Sequence, residues 1–232
     1  MAVEIPLRHL LAWATLVMIG EPLMAVENVP PEGFTLVFNG QDLSGWKGLV
    51  GNPEIRAQLS PRELAERQER ADERMREHWS VQDGILLFDG QGDNLCTLKE
   101  YGDFELLVDW SIQSMGDSGI YLRGSPQVQI WDPASGPAAG VGSGGLFNNR
   151  KYRNKPLVKA DNPIGQWNHF RIRMVGENVT VWLNDQLVVD DTPLENYWDR
   201  NKPIYRAGAI ELQSDAGPLS FKNIYIKELP SK

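Results

Sequence analysis

The stretch Asp117-Ser-Gly-Ile-Tyr-Leu-Arg-Gly-Ser-Pro-Gln-Val-Gln-Ile-Trp-Asp132 decides the fold. Successive side chains of a β-strand point to opposite faces, and this segment alternates twice. In Gly119–Arg123, Ile120 and Leu122 oppose Tyr121 and Arg123. In Gln127–Trp131, Val128 and Ile130 oppose Gln127, Gln129 and Trp131. Each run therefore reads as a short strand with one face for a core and one face for something polar.

The same pattern extends outward from this segment. Asp103–Ile112 sets Phe104, Leu106, Val108 and Trp110 against Glu105 and Asp109, and Ile210–Gln213 sets Ile210 and Leu212 against Glu211 and Gln213. Further β-rich runs occur at Phe34–Phe38, Ile85–Phe88, Trp167–Val175 and Leu219–Glu228. Val179–Val189 reads as a hairpin turning at Asn184-Asp185. Many short strands punctuated by turn pairs such as Asn39-Gly40 and Asp83-Gly84 indicate an all-β sandwich or barrel. One helix interrupts them. Ser60-Pro61-Arg62-Glu63 is a capping box with proline at the first helical position, and it predicts a helix over about 61–77. The charges of that helix read most simply as a solvated face, and a lid over the site is the sharper alternative.

Composition narrows the function. The 232 residues suit one all-β domain, and 41% hydrophobic content supplies a core. A net charge of -8 argues against nucleic-acid partners, which require a basic surface. Arg8 and His9 precede an apolar run from Leu10 to Gly20, and Leu23-Met24-Ala25 offers a cleavage point. Residues 1–25 thus read as a secretory signal peptide, too short in its apolar part to span a bilayer comfortably, followed by a single domain over 26–232. The expectation is an exported chain, periplasmic or secreted, without stable membrane insertion. The lone Cys96 allows no internal disulfide and reads as a buried thiol.

The polar strand faces carry Asp, Glu, Gln, Arg, Tyr and Trp, unlike a Lys/Glu surface that only confers solubility. Carboxylates, amides and guanidinium hydrogen-bond hydroxyls directionally, and aromatic rings offer apolar faces with polar tips. That mixture suits a sugar. An ordinary glycosidase places two carboxylates across the bond it cuts, and Gln127 and Gln129 cannot serve in that way. No histidine or cysteine spacing marks a zinc site, although Asp and Glu oxygens could hold a calcium or manganese ion.

Several ordered motifs resemble the 3-keto-disaccharide hydrolase domain family. They are Gly33–Trp46, Tyr101–Leu106, Asp117–Gly124, Val128–Asp132, Gly165–Asn168 and Phe221–Ile226, and together they cover about residues 32–229. The resemblance implies a concanavalin A-like jelly-roll sandwich of two antiparallel sheets, with activity on 3-keto-glycosides by hydrolysis or by elimination and hydration. It also implies metal assistance in some members. A ketone at C3 acidifies the C2 proton, so such a site needs one base and one electrophile for the developing enolate. Strand parity, not the family, nominates Asp109 or Glu211 as base and Arg123 as enolate or hydroxyl stabiliser. It nominates Tyr121, Gln127, Gln129, Trp131 and Gln213 as sugar ligands. These side chains are expected on one shared concave face with Asp109 on its floor. A non-catalytic carbohydrate-binding module is the first alternative, and a glycosidase drawing its carboxylates from different strands is the second.

Overall fold

A computed structural model describes residues 28–136 and 139–230. The expected signal peptide and its cleavage point near Ala25 lie outside the described residues. The strands are β1 (Thr35–Leu36), β2 (Trp46–Gly48), β3 (Trp79–Gln82), β4 (Ile85–Phe88), β5 (Leu95–Thr97), β6 (Phe104–Ile112), β7 (Asp117–Leu122) and β8 (Ser125–Trp131). They continue with β9 (Asn168–Val175), β10 (Asn178–Leu183), β11 (Gln186–Pro193), β12 (Glu211–Leu212) and β13 (Leu219–Glu228). The helices are α1 (Pro53–Arg56) and α2 (Pro61–His78).

The strands form two antiparallel sheets, as expected of the jelly-roll sandwich. The larger runs β11-β10-β9-β6-β13-β4-β3, with β1 paired to β13, and the smaller runs β2-β5-β12-β7-β8. Alternation decides what lies between them. Phe104, Leu106 and Val108 from β6, Phe170 and Ile172 from β9, and Val181 from β10 pack with Ile120, Leu122, Val128, Ile130 and Leu212 from the smaller sheet, all of them buried. At roughly 25 cal/mol per Å² of apolar surface removed from water, this core is the main source of stability. The chain does without a disulfide, and Cys96 is buried and free.

The β10–β11 hairpin turns at Asn184 and Asp185, both with positive φ (50° and 64°), as a two-residue hairpin loop demands. Helix α2 starts at the expected capping box, with the Glu63 backbone N–H donating to Ser60 Oγ and the Ser60 backbone N–H donating to Glu63 Oε2. It docks on the edge strand β2. The Gly48 N–H donates to Asp72 Oδ1, and Gln68 Nε2 donates to the Gly48 carbonyl. Only glycine fits at 48, because a Cβ there would collide with the Ala71 backbone. The helix therefore covers the far edge of the smaller sheet and is not a lid over the cavity described below. The short α1 is an addition that periodicity did not announce.

Candidate functional site

The outer face of the smaller sheet carries the polar residues of β7, β8 and β12. Glu211 pairs with Tyr121 and Gly119 pairs with Gln129, so their side-chain positions share that face. Gln213 continues the line beyond Glu211, its N–H donating to the Gly119 carbonyl. A cavity of about 250 Å³ opens here, floored by Asp117, Tyr121, Gln127, Gln129, Gln213 and Asp215. Two loops wall it, one contributing Phe147 and Asn148 and the other Tyr197 and Trp198. Trp198 is held by its indole N–H, which donates to the Gly124 carbonyl at 2.7 Å.

A directed relay of amides crosses the floor. Gln129 Nε2 donates to Asp117 Oδ1 at 2.7 Å, and Gln127 Nε2 donates to Gln129 Oε1 at 2.6 Å. An ionised carboxylate only accepts, so Asp117 orients both amides. The relay leaves Gln127 Oε1 buried without a partner, and Gln213 Oε1 is in the same condition. A buried unpaired acceptor is costly, and both side chains belong to residues that line the cavity. Gly119 makes room for the relay, since a Cβ there would fall on Gln127 Oε1.

Two carboxyls on this face are held above their usual range. Burial, with the negative charge of Asp215 adding to it, pushes Asp117 up to about 6 against the opposing hydrogen bond from Gln129. Burial pushes Glu211 up to about 7, countered by Arg56 and Lys47. Glu211 is only 1% exposed, its Oε1 accepts no hydrogen bond, and Arg56 Nη2 stands 3.9 Å away. It does not reach the cavity surface, and it lies beside Tyr121. Burial first, then the charges of Glu211 and Asp215, raise the Tyr121 phenol, which stays protonated at neutral pH.

The expected ligands Tyr121, Gln127, Gln129 and Gln213 thus come together. Trp131 lies next door, its indole N–H donating to the Gly142 carbonyl and its ring edge-on to Phe147. Three expectations are corrected. Glu211, expected as a base on the shared face, is buried and lines no part of the cavity. Asp109 belongs to β6 in the other sheet, on the opposite outer surface of the sandwich, where it bonds His169 Nδ1 at 2.7 Å and accepts from Asn223 Nδ2 at 2.7 Å. It is not the floor of a shared face. Arg123 follows the last residue of β7 in a left-handed conformation (φ 55°), which takes it out of the strand's alternation. Its guanidinium is buried and donates to the carbonyls of Gly102, Gly176 and Tyr205 and to Asp103 Oδ1. It fastens loops together and lines no part of the cavity.

The residues that sequence reasoning missed are Asp117, Asp215 and the loop residues Phe147, Asn148, Tyr197 and Trp198. Asp117 is in phase with Tyr121, on a strand that begins two residues before the expected Gly119. As for a cation, among the described residues no cluster of three or more His, Cys, Asp or Glu stands close enough to hold one, so calcium or manganese finds no carboxylate-rich donor set here.

Fold and site define a two-sheet antiparallel sandwich with a polar cavity on the outer face of its smaller sheet. The chain belongs to the family described as the 3-keto-alpha-glucoside-1,2-lyase-like domain, whose family model matches residues 33–227. Membership places it among carbohydrate-active proteins. It is 23% identical to a protein from Bacteroides thetaiotaomicron named 3-keto-disaccharide hydrolase, over 84% of this chain and 69% of that protein. Two solved structures from Parabacteroides distasonis, each described as a candidate glycosyl hydrolase, share the fold. One gives a TM-score of 0.64 at 23% identity, covering 88% of this chain and 99% of the other. The second gives 0.63 at 26% identity, covering 86% and 85%.

Proposed function

We propose that the protein is an enzyme that cleaves 3-keto-glycosides, with Asp117 as the base and Tyr121 as the electrophile. The observation that carries this reading is their presence in one cavity with complementary protonation. Asp117 is ionised above about pH 6, while Tyr121 keeps its proton. A ketone at C3 makes the C2 proton removable by a carboxylate. Asp117 takes that proton, and the electron pair passes toward the C3 oxygen as an enolate. The Tyr121 hydroxyl donates a hydrogen bond to that oxygen. Collapse of the enolate forms the C1–C2 double bond and breaks the bond from C1 to the aglycone oxygen. That oxygen leaves with the proton now on Asp117. Water then adds at C1 and a proton returns to C2, so the net change is hydrolysis to 3-keto-glucose and the free alcohol. Release before the water step would make the same site a lyase.

Gln127 and Gln213, which line the cavity, offer their amides to the hydroxyls of the sugar. Glu211, beside Tyr121, tunes the phenol and does not touch the substrate. Export, with removal of residues 1–25, belongs to the same reading, and N-terminal sequencing of the protein from its native host checks it.

The test is incubation with a 3-keto-glucoside and detection of free 3-keto-glucose. Wild type should turn over, while Asp117→Asn and Tyr121→Phe should each fall by about a hundredfold or more, the usual scale for a general base or an oxyanion donor. Binding without any turnover would identify a carbohydrate-binding module instead.

A further inference from the structure

A second cavity, of about 220 Å³, adjoins the first and shares Gln129 and Phe147 with it. Its remaining walls are Trp131, Val141 and Pro156, with the glycine backbone at 142 and 145. The two compartments differ in what they ask of a ligand. In the first, buried acceptors lack partners. In the second, the side-chain donors of Trp131 and Gln129 and two wall carbonyls are already used. The Trp131 indole N–H is used by the Gly142 carbonyl at 2.6 Å, and the Gln129 backbone N–H is used by the Gly145 carbonyl at 2.9 Å. The Gln129 amide is committed to Asp117 and Gln127. Only Asn154 and Lys155, both exposed, add polar side chains.

We infer that this second cavity is an aglycone subsite for an apolar, aromatic group. The inference rests on the reading of the first cavity as the seat of the keto-sugar. A second hexose here would surrender water from several hydroxyls and find few partners, which is unfavourable. A flat apolar ring would lie against Trp131 and Phe147, whose own rings meet edge-on at a centroid distance of 5.1 Å and form a corner. The preferred substrates are therefore aryl or similarly apolar 3-keto-glycosides, with disaccharides second. The scissile oxygen would sit where the cavities meet, beside Gln129 and Phe147.

Calorimetry with phenyl and methyl 3-keto-α-glucoside on the Asp117→Asn protein separates the parts of this argument. The phenyl compound should bind at least about tenfold more tightly, the scale of burying one ring. Val141→Asp, which puts a charge in the wall, and Val141→Trp, which fills the space, should each bring the ratio of the two affinities close to one. Equal affinities in the Asp117→Asn protein would overturn the subsite while leaving the sugar cavity intact. So would a ratio that survives in both Val141 variants. Binding of neither glycoside would overturn the sugar cavity and the subsite with it. Turnover of the methyl compound by wild type, measured separately, tests the catalytic reading alone.

Discussion

Replacing Glu211 with Gln should make the protein more stable at pH 8 than at pH 5, relative to wild type. The carboxyl is 1% exposed, one of its oxygens has no hydrogen-bond partner, and the nearest cation, Arg56, is 3.9 Å away. Burial holds it at about 7, against an ordinary value of 4.5. Between those two values the folded protein binds a proton that the unfolded chain has released. Stability must therefore fall as pH rises from about 4.5 to about 7, and then level off. The shift of about two and a half units corresponds to about 3 kcal/mol, at 1.36 kcal/mol per unit. Glutamine does not titrate, so it escapes that loss. Any packing cost of the amide is the same at both pH values and cancels in the difference. Urea unfolding of both proteins at pH 5 and pH 8 gives the four stabilities required. The mutant's advantage should grow by about 2–3 kcal/mol between them. A difference that does not change with pH would refute the reasoning, because it would mean that Glu211 titrates alike in the folded and unfolded chains.

Three further outcomes follow from the same geometry. The value of kcat/KM on a 3-keto-glucoside should fall about tenfold per pH unit below about 6, where Asp117 takes up its proton, and a pH–rate profile reads the limb directly. Arg123→Lys should cost about 2–4 kcal/mol in urea unfolding, because a single ammonium cannot serve three carbonyls and Asp103 together. Asp109→Asn should leave turnover within roughly twofold of wild type, since the residue lies on the other sheet, and steady-state kinetics checks it.

The legible parts of the fold were the local ones. Helix α2 runs Pro61–His78 where a helix over about 61–77 was expected, because its start is written in four adjacent residues, Ser60 to Glu63. The apolar faces of β6, β7, β8 and β12 were equally readable, since alternation needs no partner strand. What alternation cannot say is which sheet a strand joins. Asp109 and Glu211 both lie opposite apolar neighbours, yet one sheet turns its polar side up and the other turns it down, so the two carboxyls end on opposite surfaces. Arg123 failed for a different reason. The chain leaves the strand there, and a left-handed residue followed by Gly124 resets the parity. Phe147, Asn148, Tyr197 and Trp198 sit in loops, and a loop has no period from which to read a direction.

The docking of α2 on β2 also bears on how the protein behaves in a crowded compartment. A strand at the rim of a sheet offers unsatisfied amides and carbonyls to any other extended chain, its own copies included. At Gly48 both groups are taken, the N–H by Asp72 and the carbonyl by Gln68, so two helix side chains occupy the place of a neighbouring strand. Glycine permits this because any larger residue would hold the helix off. The insertion that interrupts the β pattern thus occupies part of the β2 rim. A shortened chain lacking it would leave that rim open to strand addition.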